Sequence, residues 1–179
     1  MKHFAQLIQQ LELSNKTNDK IGALVAYFNK ADEKDKIWVI ALFTGKKPKR
    51  PVKSALLKYW AIDIAGIPEW LFTESYANVG DLSETIALLL PPAENISDLH
   101  LHEWIENLQD LEGKDDETKK EFILNAWNSL ETNERFIFNK LISGNFRIGI
   151  SSKNLVNALA KQSGLESVQI THSIMGKWD

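Results

Sequence analysis

The chain has 179 residues, 44% hydrophobic and 25% charged, with a formal net charge of −3; this is the profile of one soluble globular domain, or of two small lobes sharing a core. It contains no cysteine, which excludes disulfides and thiol chemistry and argues against a structural zinc site. No apolar run approaches the roughly 20 residues that span a bilayer, and Met1-Lys2-His3-Phe4-Ala5-Gln6 lacks the apolar centre of a secretory signal, so the expected address is cytoplasmic, on the nucleoid in a bacterial cell.

In chain order, Phe4, Leu7, Ile8 and Leu11 recur at helical spacing and predict an amphipathic helix over 2–13, ended by Ser14 and Asn15. Thr17 or Asn18 caps a second, with Ile21, Leu24, Val25 and Phe28 inward. Asp32 starts a third, with Ile37, Trp38, Ala41 and Leu42 inward, stopping at Gly45. The prolines keep Gly45–Pro51 out of a helix, and Pro51 suits the first turn of the next one. That helix is expected to bury Val52, Ala55, Leu56, Tyr59 and Trp60 and to close at Gly66. A short helix follows from Pro68 to Val79. Gly80 ends it, and Asp81 with Glu84 three residues on reopens another in the manner of a capping box. Pro91-Pro92 stop that helix, and two lobes are expected to meet near residues 91–97.

Beyond this point Leu101, Trp104, Ile105, Leu108 and Leu111 mark a helix ended by Gly113, with His100 and His102 on different faces and so no metal pair. Asp115-Asp116-Glu117 opens a helix with Ile123, Ala126, Trp127 and Leu130 buried. Thr132 caps one over 133–142, with Phe136, Ile137 and Leu141 apolar. After Ser143-Gly144-Asn145-Phe146-Arg147-Ile148-Gly149-Ile150, Ser151 or Ser152 caps a helix that ends at Gly164, and a final helical stretch covers Val168 to Met175. About ten helices and almost no strand alternation predict an all-α fold, a compact multi-helix bundle of one or two lobes.

Charge is unevenly distributed. Gly45 to Lys53 carries Lys46, Lys47, Lys49, Arg50 and Lys53 without a carboxylate, and Arg135 to Gly164 carries Arg135, Lys140, Arg147, Lys153 and Lys161, again without one. Glu94 to Glu121 holds ten acids against three lysines, a local charge of −7. An acidic protein can thus present a basic face to a polyanion. The first turn holding Lys53 places a cation at the positive end of a helix dipole, a conflict that a phosphate would remove, and the free N–H groups of the helix capped by Ser151 or Ser152 form a ready anion site. Gly144 and Gly149 allow close backbone approach, Arg147 adds a planar donor fork, and the N–H groups of Leu82 and Ser83 after Gly80 suit a second phosphate. No Walker A, Gly-x-Ser-x-Gly or His-Glu-x-x-His pattern is present. The chain reads as a binder without a catalytic or metal site. The competing reading is a helical protein-interaction module that uses the acidic 94–121 segment, with some of the six tryptophans as anchors.

Three segments together resemble the N-terminal DNA-binding domain of ATP-dependent DNA ligases: Glu134-Arg135-Phe136 followed by Ser143-Gly144-Asn145-Phe146-Arg147-Ile148-Gly149, the Ala-Leu-rich helix Leu155-Val156-x-Ala158-Leu159-Ala160, and Val79-Gly80-Asp81-Leu82-Ser83. The resemblance spans nearly the whole chain. It implies an all-helical DNA-binding domain over 1–176, with 177–179 beginning a linker to a nucleotidyltransferase domain. Its implied partner is duplex DNA, nicked, gripped in the minor groove across the break by a monomer, with no membrane involved. Catalysis is implied to lie downstream, in a K-x-D-G domain and an OB domain that use ATP and a divalent metal such as Mg2+; no cofactor is expected in this domain. Lys114-Asp115-Asp116-Glu117 lacks the glycine of that motif. The implied DNA contacts are Lys46, Lys47, Lys49, Arg50 and Lys53; Gly80, Leu82 and Ser83; and Gly144, Asn145, Arg147, Gly149, Ser151, Ser152 and Lys153.

Overall fold

The structure, a computed structural model, describes residues 1–46, 48–144, 146 and 149–175. Among the described residues there are eleven α-helices and no strand: α1 (Lys2–Leu13), α2 (Thr17–Lys30), α3 (Glu33–Phe43), α4 (Ser54–Ala65), α5 (Glu69–Val79), α6 (Leu82–Leu89), α7 (Leu101–Gln109), α8 (Asp116–Ser129), α9 (Thr132–Ser143), α10 (Ser152–Ser163) and α11 (Ser167–Met175). The all-α expectation holds.

The chain forms two compact units, but not with the expected boundary. Unit 1 is Met1 with Pro48–Asn145, and unit 2 is Lys2–Lys47 with Phe146–Asp179. Residues 91–97, expected between lobes, lie inside unit 1. Their backbone is tied to the end of α8: the Glu94 and Asn95 N–H groups donate to Asn128 O at 3.2 and 3.3 Å, and Ser97 N–H donates to Ser129 O at 2.8 Å. The two prolines end a helix there without loosening the chain.

Unit 2 is built on α10, which packs mainly against α2 and also meets α3 and α11, while α1 lies on α2. Phe4 is buried, and its ring meets Tyr27 edge-on at 6.3 Å, Phe43 at 6.2 Å and Phe146 at 6.0 Å. Phe146 thereby fixes one point of the Ser143–Ile150 stretch to this unit. Helix α2 starts after Lys16, with neither Thr17 nor Asn18 as its cap. Ser14 takes over locally, its Oγ accepting from Lys16 N–H at 3.1 Å and donating to Asp19 at 3.0 Å. In α3 Ala41 and Leu42 are buried as expected, but Ile37 is 54% exposed, and Asp35 and Val39 face inward instead. The run Ile-Trp-Val-Ile-Ala-Leu-Phe is apolar all round, so its periodicity does not select a face.

Unit 1 is organised on α9, which packs most heavily on α6 and also meets α7; α6 in turn meets α5 and α4. Glu134, Arg135, Ile137, Phe138, Asn139, Leu141 and Ile142 of α9 are all buried. Phe138 closes an aromatic cluster with Trp104 at 5.4 Å and Phe122 at 6.4 Å. Helix α4 begins at Ser54, one turn later than Pro51 suggests, and buries Leu57, Trp60 and Ala61 while Tyr59 is exposed. Asp115 caps α8 by accepting from Thr118 N–H at 2.8 Å and from its hydroxyl at 2.9 Å; these bonds hold its carboxyl below the ordinary carboxylate range. Helix α9 begins at Thr132 with Glu131 at the cap position, not Thr132. His100 and His102 also depart from expectation, their rings lying 5.6 Å apart. His100 is the extended cap residue of α7 and not part of the helix, so the angular spacing of helix positions does not apply to this pair.

Candidate nucleic-acid interface

In unit 1 the structure brings together segments that are far apart in sequence. Helix α5 ends at Gly80, whose φ of +80° turns the chain sharply into Asp81, the cap of α6. Asp81 Oδ1 accepts from Glu84 N–H at 3.1 Å, and its second carboxylate oxygen accepts from Lys140 Nζ in the last turn of α9. The N-terminus of α6 is thus clamped against the C-terminus of α9. Ser83 and Ser143 extend the seam, their hydroxyls 3.4 Å apart.

Helix α9 then ends at Gly144, with φ +71°, where its N–H donates to Lys140 O at 2.8 Å. A Cβ built on Gly144 would stand 2.6 Å from Arg50 Nη2 and 2.7 Å from Arg50 Nε. The guanidinium of the basic loop therefore lies directly on the glycine, at the negative end of the α9 dipole. Glycine is favoured here by the left-handed backbone, and a Cβ would in addition push the Arg50 guanidinium aside. Gly144→Ala is expected to cost about 1–2 kcal/mol from backbone strain alone and to displace Arg50; thermal unfolding and a crystal structure of the variant check both effects, and an unmoved Arg50 would refute the second.

The remaining cations of unit 1 divide by environment. Lys53 is exposed at the N-cap of α4, a helix with no acidic residue in its first turn and no side-chain cap hydrogen bond. Lys49 is exposed, and its Nζ lies 2.8 and 3.0 Å from the two carboxylate oxygens of Glu112. An exposed pair of this kind is worth about 1 kcal/mol or less. Glu112→Gln is expected to raise affinity for a polyanion by up to about fivefold at low salt, read by fluorescence polarisation; weaker binding by the variant would count against Lys49 facing the ligand.

Two cations counted in the second basic run are not on a basic face. Arg135 is 2% exposed, and it donates from Nε to Trp127 O at 2.6 Å and from Nη1 to Pro91 O at 2.7 Å. Burial pulls its pKa below the ordinary arginine value. Lys140 is engaged with Asp81. A count of charges along the sequence cannot tell an arginine that binds carbonyls from one that meets solvent.

Unit 2 supplies a second, separate set. Ser151, not Ser152, caps α10, its Oγ accepting from Asn154 N–H at 3.2 Å. Ser152 and Lys153 are exposed in a first turn that holds no acid. Gly149 is exposed, and its carbonyl accepts from Lys20 Nζ of α2 at 2.8 Å. Lys20 was not singled out from the sequence, because nothing there shows that it reaches Gly149. Lys46 follows the end of α3, its N–H donating to Ala41 O at 2.9 Å.

Among the expected contacts, Ser83 is 4% exposed, so its hydroxyl belongs to the seam, while Leu82 is half-buried. Lys47, Asn145 and Arg147, together with the expected linker at 177–179, lie outside the described residues. Among the described tryptophans, Trp60, Trp104 and Trp127 are buried, Trp38 is half-buried and Trp70 is 66% exposed. No described helix is long and apolar enough to cross a membrane.

A search of curated proteins gives no match. The family model described as DNA ligase N terminus matches residues 1–160, a range that takes in the α5–α6 corner, the end of α9 and most of α10. The chain belongs to the DNA ligase N terminus family.

Proposed function

We propose that this domain binds duplex DNA without reading its sequence, holding the sugar–phosphate backbone along the minor groove at a nick. The observation that carries the reading is the meeting in unit 1 of Arg50, Gly144 and the Gly80–Leu82 corner, segments that are remote in the chain and short of base-reading side chains. Phosphate contacts from cations and backbone amides position a protein on DNA, whereas specificity needs polar side chains aimed at base edges. Lys53 and, in unit 2, Lys153 sit at helix N-termini that lack acids, where an anion relieves the clash between cation and dipole. In this reading the domain serves, as a cytoplasmic monomer, an ATP-dependent ligase that seals nicks in replication and repair. ATP and Mg2+ then act in a catalytic domain and not on these residues.

The test is the affinity for nicked and intact duplexes of unrelated sequence across a salt series. A phosphate grip gives log K falling linearly with log salt, with a slope of about −0.9 per contact, and little difference between sequences. A flat salt response, or strong preference for one sequence, would end the reading.

A further inference from the structure

The most completely enclosed polar side chain of unit 1 has no part in the contacts described so far. Asn139, on α9, is 0% exposed among Ile137, Phe138, Leu141 and Ile142. Its amide spans three helices. Oδ1 accepts from Trp127 Nε1 of α8 at 2.8 Å, and Nδ2 donates to Ser83 O of α6 at 3.2 Å. A buried amide costs free energy unless its partners are in place, so this network stabilises one relative placement of α6, α8 and α9 and penalises others. A leucine of similar volume would permit α6 to slide along the apolar face of α9; the asparagine fixes the register to a single carbonyl.

The fixed point lies next to the proposed DNA site. Ser83 is the second residue of α6, one position after Leu82 and two after Asp81, which binds Lys140. One helical turn beyond Asn139, α9 ends at Ser143, which faces the Ser83 hydroxyl, and Gly144 beneath Arg50 follows it. We infer that Asn139 is a positioning residue for DNA binding: it touches no ligand, but through Ser83 it sets where the α6 corner stands relative to Gly144 and Arg50. This inference rests on the DNA-binding reading and adds a residue to it that makes no contact with phosphate.

Two substitutions separate positioning from mere stability, because each removes a different hydrogen bond of the same amide. Asn139→Asp removes the donor to Ser83 O and sets a carboxyl oxygen against it. Trp127→Phe removes the bond to Oδ1 and leaves the link to Ser83 intact. Both are expected to lower the thermal midpoint. Measured on the full chain with a labelled nicked duplex, well below both midpoints, Asn139→Asp is expected to bind about tenfold more weakly, with a salt slope shallower by about one unit, while Trp127→Phe keeps the wild-type slope. In 15N spectra of Asn139→Asp, the amides of Leu82 and Ser83 should no longer respond to added duplex, while those near Lys153 still do. If Asn139→Asp fails to fold, Asn139→Ser, which is too short to reach the carbonyl, carries the same comparison. Equal slopes in all three proteins would overturn the positioning role and leave the DNA reading standing. A wild-type chain with no salt-dependent binding would overturn both.

Discussion

Arg135→Ala is expected to destabilise the protein by about 3–5 kcal/mol and to lower its thermal midpoint by about 10 °C, while leaving the salt slope of DNA binding unchanged. The size follows from what the guanidinium touches. Trp127 lies in the last turn of α8, so its carbonyl has no i+4 amide to accept from; Arg135 supplies the donor and brings a cation to the negative end of that helix. Its other arm holds Pro91 O at the start of the 91–97 segment. Truncation leaves two carbonyls short of a charge-assisted donor and opens a cavity where the side chain is nearly fully enclosed. Arg135→Lys is expected to recover only part of the loss, since one ammonium cannot reproduce the planar fork. Thermal and urea unfolding measure the first effect, and duplex titration at low temperature the second. A loss below about 1 kcal/mol would show that the buried contacts are not what keeps this arginine.

The opposite pattern is expected when the exposed cations are removed together. Arg50→Ala with Lys53→Ala and Lys153→Ala should leave stability within about 1 kcal/mol of wild type, reduce the salt slope by about three units, and weaken duplex binding on the order of a hundredfold near physiological salt. The loss should be the same for duplexes of different sequence, because none of the three reads a base. Single variants apportion the effect, Arg50→Ala testing the unit 1 corner and Lys153→Ala the start of α10. A triple variant with wild-type affinity and slope would place the DNA surface elsewhere on the protein.

Much of the fold was legible because it depends on local rules. Helical spacing located all the elements, Asp32, Asp81 and Asp115 were readable as helix starts and Ser151 as one of two candidate caps, and Gly66, Gly80 and Gly164 as stops, whereas Thr17, Asn18 and Thr132 are not the caps they were expected to be. The inner faces of α3 and α4 were legible only in part: Ala41, Leu42 and Trp60 are buried as expected while Ile37 and Tyr59 are exposed, since a segment apolar on every side is oriented by its neighbours. The candidate site was visible as segments and not as an assembly. That Arg50 would lie on Gly144, with 93 positions between them in the chain, follows only from how α4, α6 and α9 pack. Charge counting failed in the same way at Arg135 and Lys140, whose partners are a carbonyl pair and an aspartate on other elements. Asn139 carries no sequence signature at all, because one polar residue in a helical stripe looks like an edge position until its two partners are known.

The division of the chain also sets an order of events during synthesis. Pro48–Asn145 is one continuous stretch, so the pairings of α9 with α6 and α7, and of α6 with α4 and α5, can all form once that stretch has left the ribosome. The first three helices are made earlier, yet α2 finds its principal partner in α10, more than a hundred residues later. Until then the apolar stripe of α2, with Leu24 and Phe28, lacks its largest contact and leans mainly on α1. The nascent chain therefore carries an unfinished N-terminal segment while the middle is made, and that waiting interval is where chaperone capture and misassembly should concentrate.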